Sequence, residues 1–308
     1  MSGLHERRSD QSIPVLCGLL GLSKQAYYQH QRRNYVRFAG YDVVLQVVAD
    51  IRRDLPRIGG RKLHAELLKR LPAELCMGRD ALFNLLRANG YLLRNRHGAV
   101  PRTTDSSHRF HTYKNLIADY VSTGPNQLYV CDITYIRTVD NRFYYLSLIT
   151  DAFSHKIVGW CLLDTLETEG PLRALDMALS ALPPGSRLIH HSDRGTQYCC
   201  TEYVDRLHRH GITISMTESG NPRDNAIAER VNGILKMEWF YDMRFTTLEQ
   251  SCRQVAHVIE LYNTKRPHSS IGMHTPEEIH RNPITTERKW KNYYKKKEVE
   301  EIQGQKNV

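Results

Sequence analysis

Near residue 123 the period of the apolar pattern changes, and this constrains the fold more than any other feature of the chain. Beyond it, residues 128–137, 144–151 and 156–163 form three β-rich runs, broken by Asp140-Asn141 and by Phe153-Ser154-His155. The first break predicts a tight hairpin turn. A helical stretch over 171–182 stops at Pro183-Pro184-Gly185, and a short strand over 187–191 runs into Ser192-Asp193-Arg194-Gly195. A helix over 201–210 ends at Gly211, a fifth strand covers 212–216, and two long helices follow at about 225–241 and 248–265. Three strands in meander, then alternating helix and strand, predict an α/β fold. Its mixed five-stranded sheet would carry helices on both faces, within a core spanning 123–283.

The residues before this core are helical and punctuated by turns. Two short helices, 13–20 and 24–32, flank the Gly21-Leu22-Ser23 turn, with Ser23 as N-cap. That pattern predicts a helix-turn-helix-like segment over 1–38, with Lys24 and Gln25 early on its second helix. A second helical module is expected over 41–98. Within it Val44, Val47, Val48 and Ile51 recur at helical spacing, Gly59-Gly60-Arg61-Lys62 precedes a helix over 63–71, and a helix over 79–88 ends at Asn89-Gly90. The polar stretch 99–122 reads as a linker and 284–308 as a basic tail.

Charge follows the same division. Residues 1–122 carry 20 Lys and Arg against 10 Asp and Glu, whereas residues 123–284 carry 16 against 19. A basic helical third suits phosphate neutralisation, and the more acidic core keeps carboxylates for another purpose. No run approaches the ~20 apolar residues that a membrane span needs, and Met1 to Asp10 contains no apolar stretch of a secretory signal. The seven cysteines are scattered, with neither a disulfide framework nor paired zinc spacing, which fits a reduced cytoplasm.

Three acids fall where the predicted elements aim them at a common point. Asp132 lies mid-strand among Leu128, Val130, Ile133 and Ile136, where a charge costs stability unless it is paired or holds a cation. Asp193 ends the fourth strand. Glu229 lies on a helix whose apolar face includes Ile227, Val231, Ile234 and Leu235, with 35 residues between it and Asp193. On that helix Asn232, Gly233 and Lys236 share the face of Glu229. Lys236 would then point to the same site and could hold a phosphate, or simply pair with Glu229. His190-His191 near Cys199-Cys200 offers a zinc reading, set aside because adjacent cysteines chelate one tetrahedral ion poorly. The segment around Tyr262-Asn263 and Arg266-Pro267-His268 fits either a DNA contact or a cap on a long helix.

These residues also form ordered motifs: Asp132-Ile133-Thr134-Tyr135, His191-Ser192-Asp193-Arg194-Gly195-Thr196-Gln197-Tyr198, Gly220-Asn221-Pro222-Arg223-Asp224-Asn225-Ala226 leading to Glu229, and Tyr262-Asn263-Thr264-Lys265-Arg266-Pro267-His268. In this order and spacing, over about residues 41–283, the chain resembles the orfB-type insertion-sequence transposases of the IS-three family, relatives of retroviral integrases. It departs from that pattern at Tyr129, Arg223 and Arg230, none of which removes a carboxylate. The resemblance implies an RNase H-like fold and a DDE transposase that cleaves strands at element ends and transfers them into target DNA. It further implies that Asp132, Asp193 and Glu229 bind two Mg²⁺ ions, for which Mn²⁺ could substitute. Mg²⁺ prefers carboxylate oxygen and water and needs few protein ligands. The expected DNA contacts are Lys236, Asn232, Arg230, Asn225, Arg61, Lys62, Lys24 and Gln25. The expected partners are double-stranded DNA (terminal repeats and target), further copies of the chain assembled on DNA, and a DNA-binding protein from an upstream reading frame. A stand-alone nuclease would need no helical reader, and a non-catalytic DNA-binding regulator would tolerate loss of the acids.

Overall fold

The computed structural model describes residues 12–19, 21, 23–93, 109–218 and 225–284. Residues 99–108 of the expected linker, Gly220 to Asp224 of the third motif and residues 285–308 of the tail lie outside them. By internal contacts the chain divides into two units. Of the described residues, one contains those up to Arg53 together with Gly59–Leu93, and the other contains Asp54–Ile58 and those from Arg109 onward.

The first unit is helical. Helices α1 (Ile13–Leu19), α2 (Lys24–Asp54), α3 (Gly60–Arg70) and α4 (Arg79–Ala88) follow in order. Ser23 caps α2 as expected, its Oγ accepting the Ala26 amide at 3.0 Å. The expected boundary at residues 39–40 is absent, because α2 runs through it as one 31-residue helix. No Pro interrupts this stretch, and one Gly, at position 40, weakens a helix by only ~1 kcal/mol. The predicted apolar spacing is realised: Val44, Val48 and Ile51 are buried on α2, Leu63 and Leu67 on α3, and Leu82 and Leu86 on α4.

The second unit is built on a five-stranded sheet of order β3-β2-β1-β4-β5. Its strands are β1 (Leu128–Arg137), β2 (Phe143–Asp151), β3 (Ile157–Leu163), β4 (Ile189–Ser192) and β5 (Thr213–Met216). The first three form the antiparallel meander, while β4 pairs parallel to both β1 and β5. All five strands stand where the alternation placed them. Asn141 takes a positive φ of 64° in the β1–β2 turn, the conformation that Asn tolerates in tight hairpins.

Helix α5 (Glu169–Ser180) covers β2 and β3, and a core forms there from Cys131 and Ile149 of the sheet, Leu172 and Leu175 of α5, and Tyr203 and Leu207. Gly159 permits the close approach, since a Cβ at this position would collide with the Ala174 carbonyl. Helices α6 (Thr196–Cys199) and α7 (Thr201–Arg209) follow β4. On the opposite face α8 (Ala226–Glu238) packs against β1 and β2, contributing Ala228 beside Leu128 and Val130. The expected helix over 225–241 ends early, because the chain turns at Trp239 to bury both Trp239 and Phe240.

Both sheet edges are covered, which removes an aggregation liability. Helix α9 (Leu248–Thr264) packs against β3. From its last turn Asn263 accepts the Ile157 amide and donates to the Ile157 carbonyl, each at 3.0 Å, as another strand would. On the other side Met216 donates to the Lys114 carbonyl and Leu116 donates to Ser215 Oγ. Residues 114–117, expected in the linker, are therefore docked on β5, with Ile117 packed against Leu128 and Val130. A last helix, α10 (Pro276–Arg281), is absent from the sequence reading. Its signal is the Thr275-Pro276-Glu277-Glu278 capping box with Pro at its first position.

Candidate active site

The parallel pairing of β1 with β4 positions the first two acids. It covers only Leu128 to Val130, so β1 continues past its neighbour and Asp132 stands two residues beyond the last paired position. Asp193 is the first residue after β4. Both carboxylates thus sit where the parallel pairing of β1 and β4 ends, the position at which open α/β sheets place ligand crevices. They line one small cavity of about 70 Å3 with Tyr135, Tyr145, Gly195 and Gln197.

Local hydrogen bonds set each carboxylate. Asp193 Oδ1 accepts the Gly195 amide at 2.9 Å, and a Cβ at Gly195 would crowd that oxygen at 3.0 Å. Asp132 Oδ1 accepts the Ile133 amide at 2.9 Å, and its Oδ2 accepts Asn232 Nδ2 from α8 at 2.7 Å. The Asp132 carboxyl is still pushed up from 3.8 to about 7, chiefly by burial and then by the charge of Asp193. The two hydrogen bonds offset part of this, and Glu229 adds a smaller rise.

Glu229 sits in the first turn of α8 and is exposed, its pKa raised by partial burial. One helical turn on, Asn232 touches Asp132, so Glu229 shares the face of α8 that looks at the first acid. Among the described residues no three His, Cys, Asp or Glu side chains gather closely enough to form a metal-binding group. The structure therefore brings Asp132 and Asp193 together and holds Glu229 on the facing helix without closing the set. The oxygen donors suit a hard divalent cation, which would offset the burial of the Asp132 carboxylate and its repulsion by Asp193.

Lys236 lies on the same face of α8. Its Nζ stands 4.2 Å from the centre of the Tyr135 ring, and burial lowers its pKa against the attraction of Asp132. Arg230 is exposed beside Glu229, and Gly233 faces open space. Two expected DNA contacts have internal partners instead. Asn225 is buried and donates to the Cys131 carbonyl at 2.8 Å, anchoring the start of α8 to β1, and Asn232 is held by Asp132. Their spacing on the helix is compatible with either use, and only the approach of β1 decides it. In the helical unit Lys24, Gln25 and Arg61 are exposed near the starts of α2 and α3, with Lys62 half-buried.

The remaining polar motifs serve packing. His190 and His191 alternate across β4. His190 Nε2 lies 2.9 Å from both Cys131 Sγ and the Tyr203 hydroxyl, and burial pushes its pKa down to about 3. His191 Nδ1 meets Ser215 Oγ at 2.8 Å. Arg266, 1% exposed, makes a two-point contact with Glu238 at the end of α8, with nitrogen–oxygen distances of 2.7 and 2.6 Å. The Tyr262 hydroxyl donates to the His155 carbonyl, and His268 stacks on His155. Asp151 went unnoticed in the sequence. Burial would raise its pKa, but contacts with His280, with the Ser154 amide and hydroxyl, and with the Asn126 amide bring it below the ordinary value. The available signal is an Asp three residues before a Ser at a strand end, the pattern of a side-chain-closed turn.

An acid pair at the open end of a parallel strand pair, faced by a third acid on a helix across this sheet order, defines the RNase H-like integrase-core class. Comparisons agree. The family model described as "Integrase core domain" matches residues 122–222, and a second of the same description matches 210–276. A 31 kDa protein of insertion element IS600 from Shigella sonnei is 32% identical over 85% of this chain and 96% of that protein. The transposase InsF for insertion sequence IS3A from Escherichia coli strain K12 is 31% identical over 90% of this chain and 96% of that protein. Among solved structures, a chain of the simian T-cell lymphotropic virus intasome aligns with a TM-score of 0.46 at 18% identity, covering 77% of this chain and 76% of that one. The HTLV-2 integrase catalytic core with magnesium aligns at 0.41 and 20% identity, covering 51% of this chain and 97% of that one. The chain belongs to the IS3 family of insertion-sequence transposases, DDE-type polynucleotidyl transferases that carry an integrase core.

Proposed function

We propose that this chain cleaves DNA strands at the ends of its own insertion element and joins them to target DNA, with Asp132, Asp193 and Glu229 as the reacting site. The observation that carries the reading is the hydrogen bond from Asn232 to Asp132 Oδ2, because it ties the helix of the third acid to the strand of the first, across from Asp193. The donor set fits two Mg²⁺ ions, with Mn²⁺ as a substitute, and such cations would offset charge on the attacking and leaving oxygens of an in-line displacement. Asp132 and Asp193 would be the fixed ligands. Asn232 holds Asp132 in one orientation, and Gly195 does the same for Asp193. Glu229, one turn before Asn232 on the facing helix, would complete the set.

Lys236 and Arg230 would contact phosphates flanking the scissile bond. Lys24, Gln25, Arg61 and Lys62 would belong to an end-reading surface of the helical unit. The working form is an assembly of several copies on duplex DNA in the bacterial cytoplasm, joined by a DNA-binding protein from an upstream frame. No helix among the described residues is long and apolar enough to cross a membrane.

Incubation of the chain with an element-end duplex and an unrelated duplex tests this. Mg²⁺-dependent nicking confined to the end sequence is the expected result. Equal nicking of both duplexes would point to a general nuclease, and binding without nicking in Mg²⁺ or Mn²⁺ would point to a regulator.

A further inference from the structure

The face of the β1–β2 ribbon beyond the helices carries a feature that the three acids do not explain. Tyr135 pairs with Tyr145 and Arg137 with Phe143 across the two strands. Directly paired residues, and residues two apart, share one face of a sheet, so these four side chains stand together. Further along that face Cys131 and Ile149 are buried against α5 and α7. Cover is lost toward the hairpin tip, where Tyr135 and Tyr145 are half-buried, Phe143 is 41% exposed and Arg137 is exposed. The Tyr135 and Phe143 rings meet edge to face with centres 5.5 Å apart, and Lys236 stands over Tyr135. Tyr135 and Tyr145 also line the cavity that holds Asp132 and Asp193. A file of aromatic rings therefore leads from the acids to the hairpin tip, with Lys236 over its middle ring and Arg137 paired across the strands with Phe143.

We propose that this file, Tyr145–Tyr135–Phe143 with Lys236 and Arg137, is a stacking track for unpaired nucleotides adjoining the scissile phosphate, so that the site receives a DNA end whose last bases are melted. Rings in exposed positions with interleaved cations are the chemistry that binds single strands, because every base has a π-face and every linkage a negative charge. Interior bases of an intact duplex present no free face to such rings, and its terminal pair presents only one. Cross-strand packing alone would account for an edge-to-face pair, but it gives no reason for the series to continue into the cavity of the acids.

The inference rests on the proposed DNA-cleaving function, and its test separates the two. Binding of the full chain is measured without divalent metal to a blunt duplex and to the same duplex bearing a short unpaired extension. The wild type should prefer the extension about fivefold or more, the smaller effect of one stacked base. Phe143→Ala should remove that preference with unchanged affinity for the blunt duplex, and Phe143→Trp should keep it. Phe143→Ala does not touch Lys236, so its effect reports on stacking and leaves the salt dependence as in the wild type. A fluorescent adenine analogue in the extension should be quenched on binding to the wild type and not to Phe143→Ala. Equal wild-type affinity for both duplexes, or an unquenched probe, would overturn the track alone. Failure to bind either duplex would overturn the functional reading with it.

Discussion

At the scale of single residues, Asp132 carries the conflict on which the site is built. Its folded pKa of about 7 lies above the ordinary 3.8, so the native chain holds an extra proton between those values. Its effect on stability is therefore neutral below about pH 4 and increasingly unfavourable as pH rises toward 7, the reverse of a paired carboxylate. Without metal, Asp132→Asn should melt at a higher temperature than the wild type at about pH 8 and match it near pH 4. A lower melting temperature at the higher pH would mean that the negative charge is stabilised by the fold. The sequence made this residue legible because a charge amid Leu128, Val130 and Ile133 is conspicuous. It did not make Asn232 and Asn225 legible as internal tethers, since their roles depend on which strand α8 crosses. The roles of the histidines beside Asp193 are illegible in the sequence for a related reason: alternation sends His190 and His191 to opposite faces of β4, each to a buried hydroxyl or thiol partner.

At the scale of elements, α8 is held from both ends. Asn225 fixes its start to the Cys131 carbonyl, and the buried Arg266–Glu238 pair fixes its end. Removing one partner of such a pair leaves a charge stranded, so Arg266→Ala should cost ~3–5 kcal/mol in chemical denaturation. Replacing both at once, as Arg266→Met with Glu238→Leu, should restore most of that loss. A cost below ~1 kcal/mol for Arg266→Ala would show that the pair is relaxed by water and braces nothing. The sheet and most helices could be read from the sequence because their periods differ sharply, 2 against 3.6, and Gly and Pro mark their ends. Residues 114–117 and α10 could not. The first has no period of its own and is held by the β5 edge, and the second is only six residues long, announced by its cap alone.

At the scale of the whole molecule, the uneven charge predicts a division of labour. A fragment of residues 1–93 should bind element-end DNA with affinity that falls steeply as salt rises, while residues 109–284 should bind more weakly at the same salt. Equal affinity of the two fragments in gel-shift titrations would contradict this. Gln25→Ala should relax sequence choice, whereas Arg61→Ala and Lys62→Ala should weaken all sequences alike. The central claim, however, is that three acids on three different elements act as one site although the structure gathers only two. The most direct measurement is Mg²⁺-dependent cleavage of an element-end duplex by Asp132→Asn, Asp193→Asn, Glu229→Gln and the Asp132→Asn/Glu229→Gln pair. The account predicts a loss of at least ~100-fold for each single variant, no further loss in the double, and unchanged DNA affinity in all four. Near-normal cleavage by Glu229→Gln, or a double loss equal to the product of the singles, would contradict it.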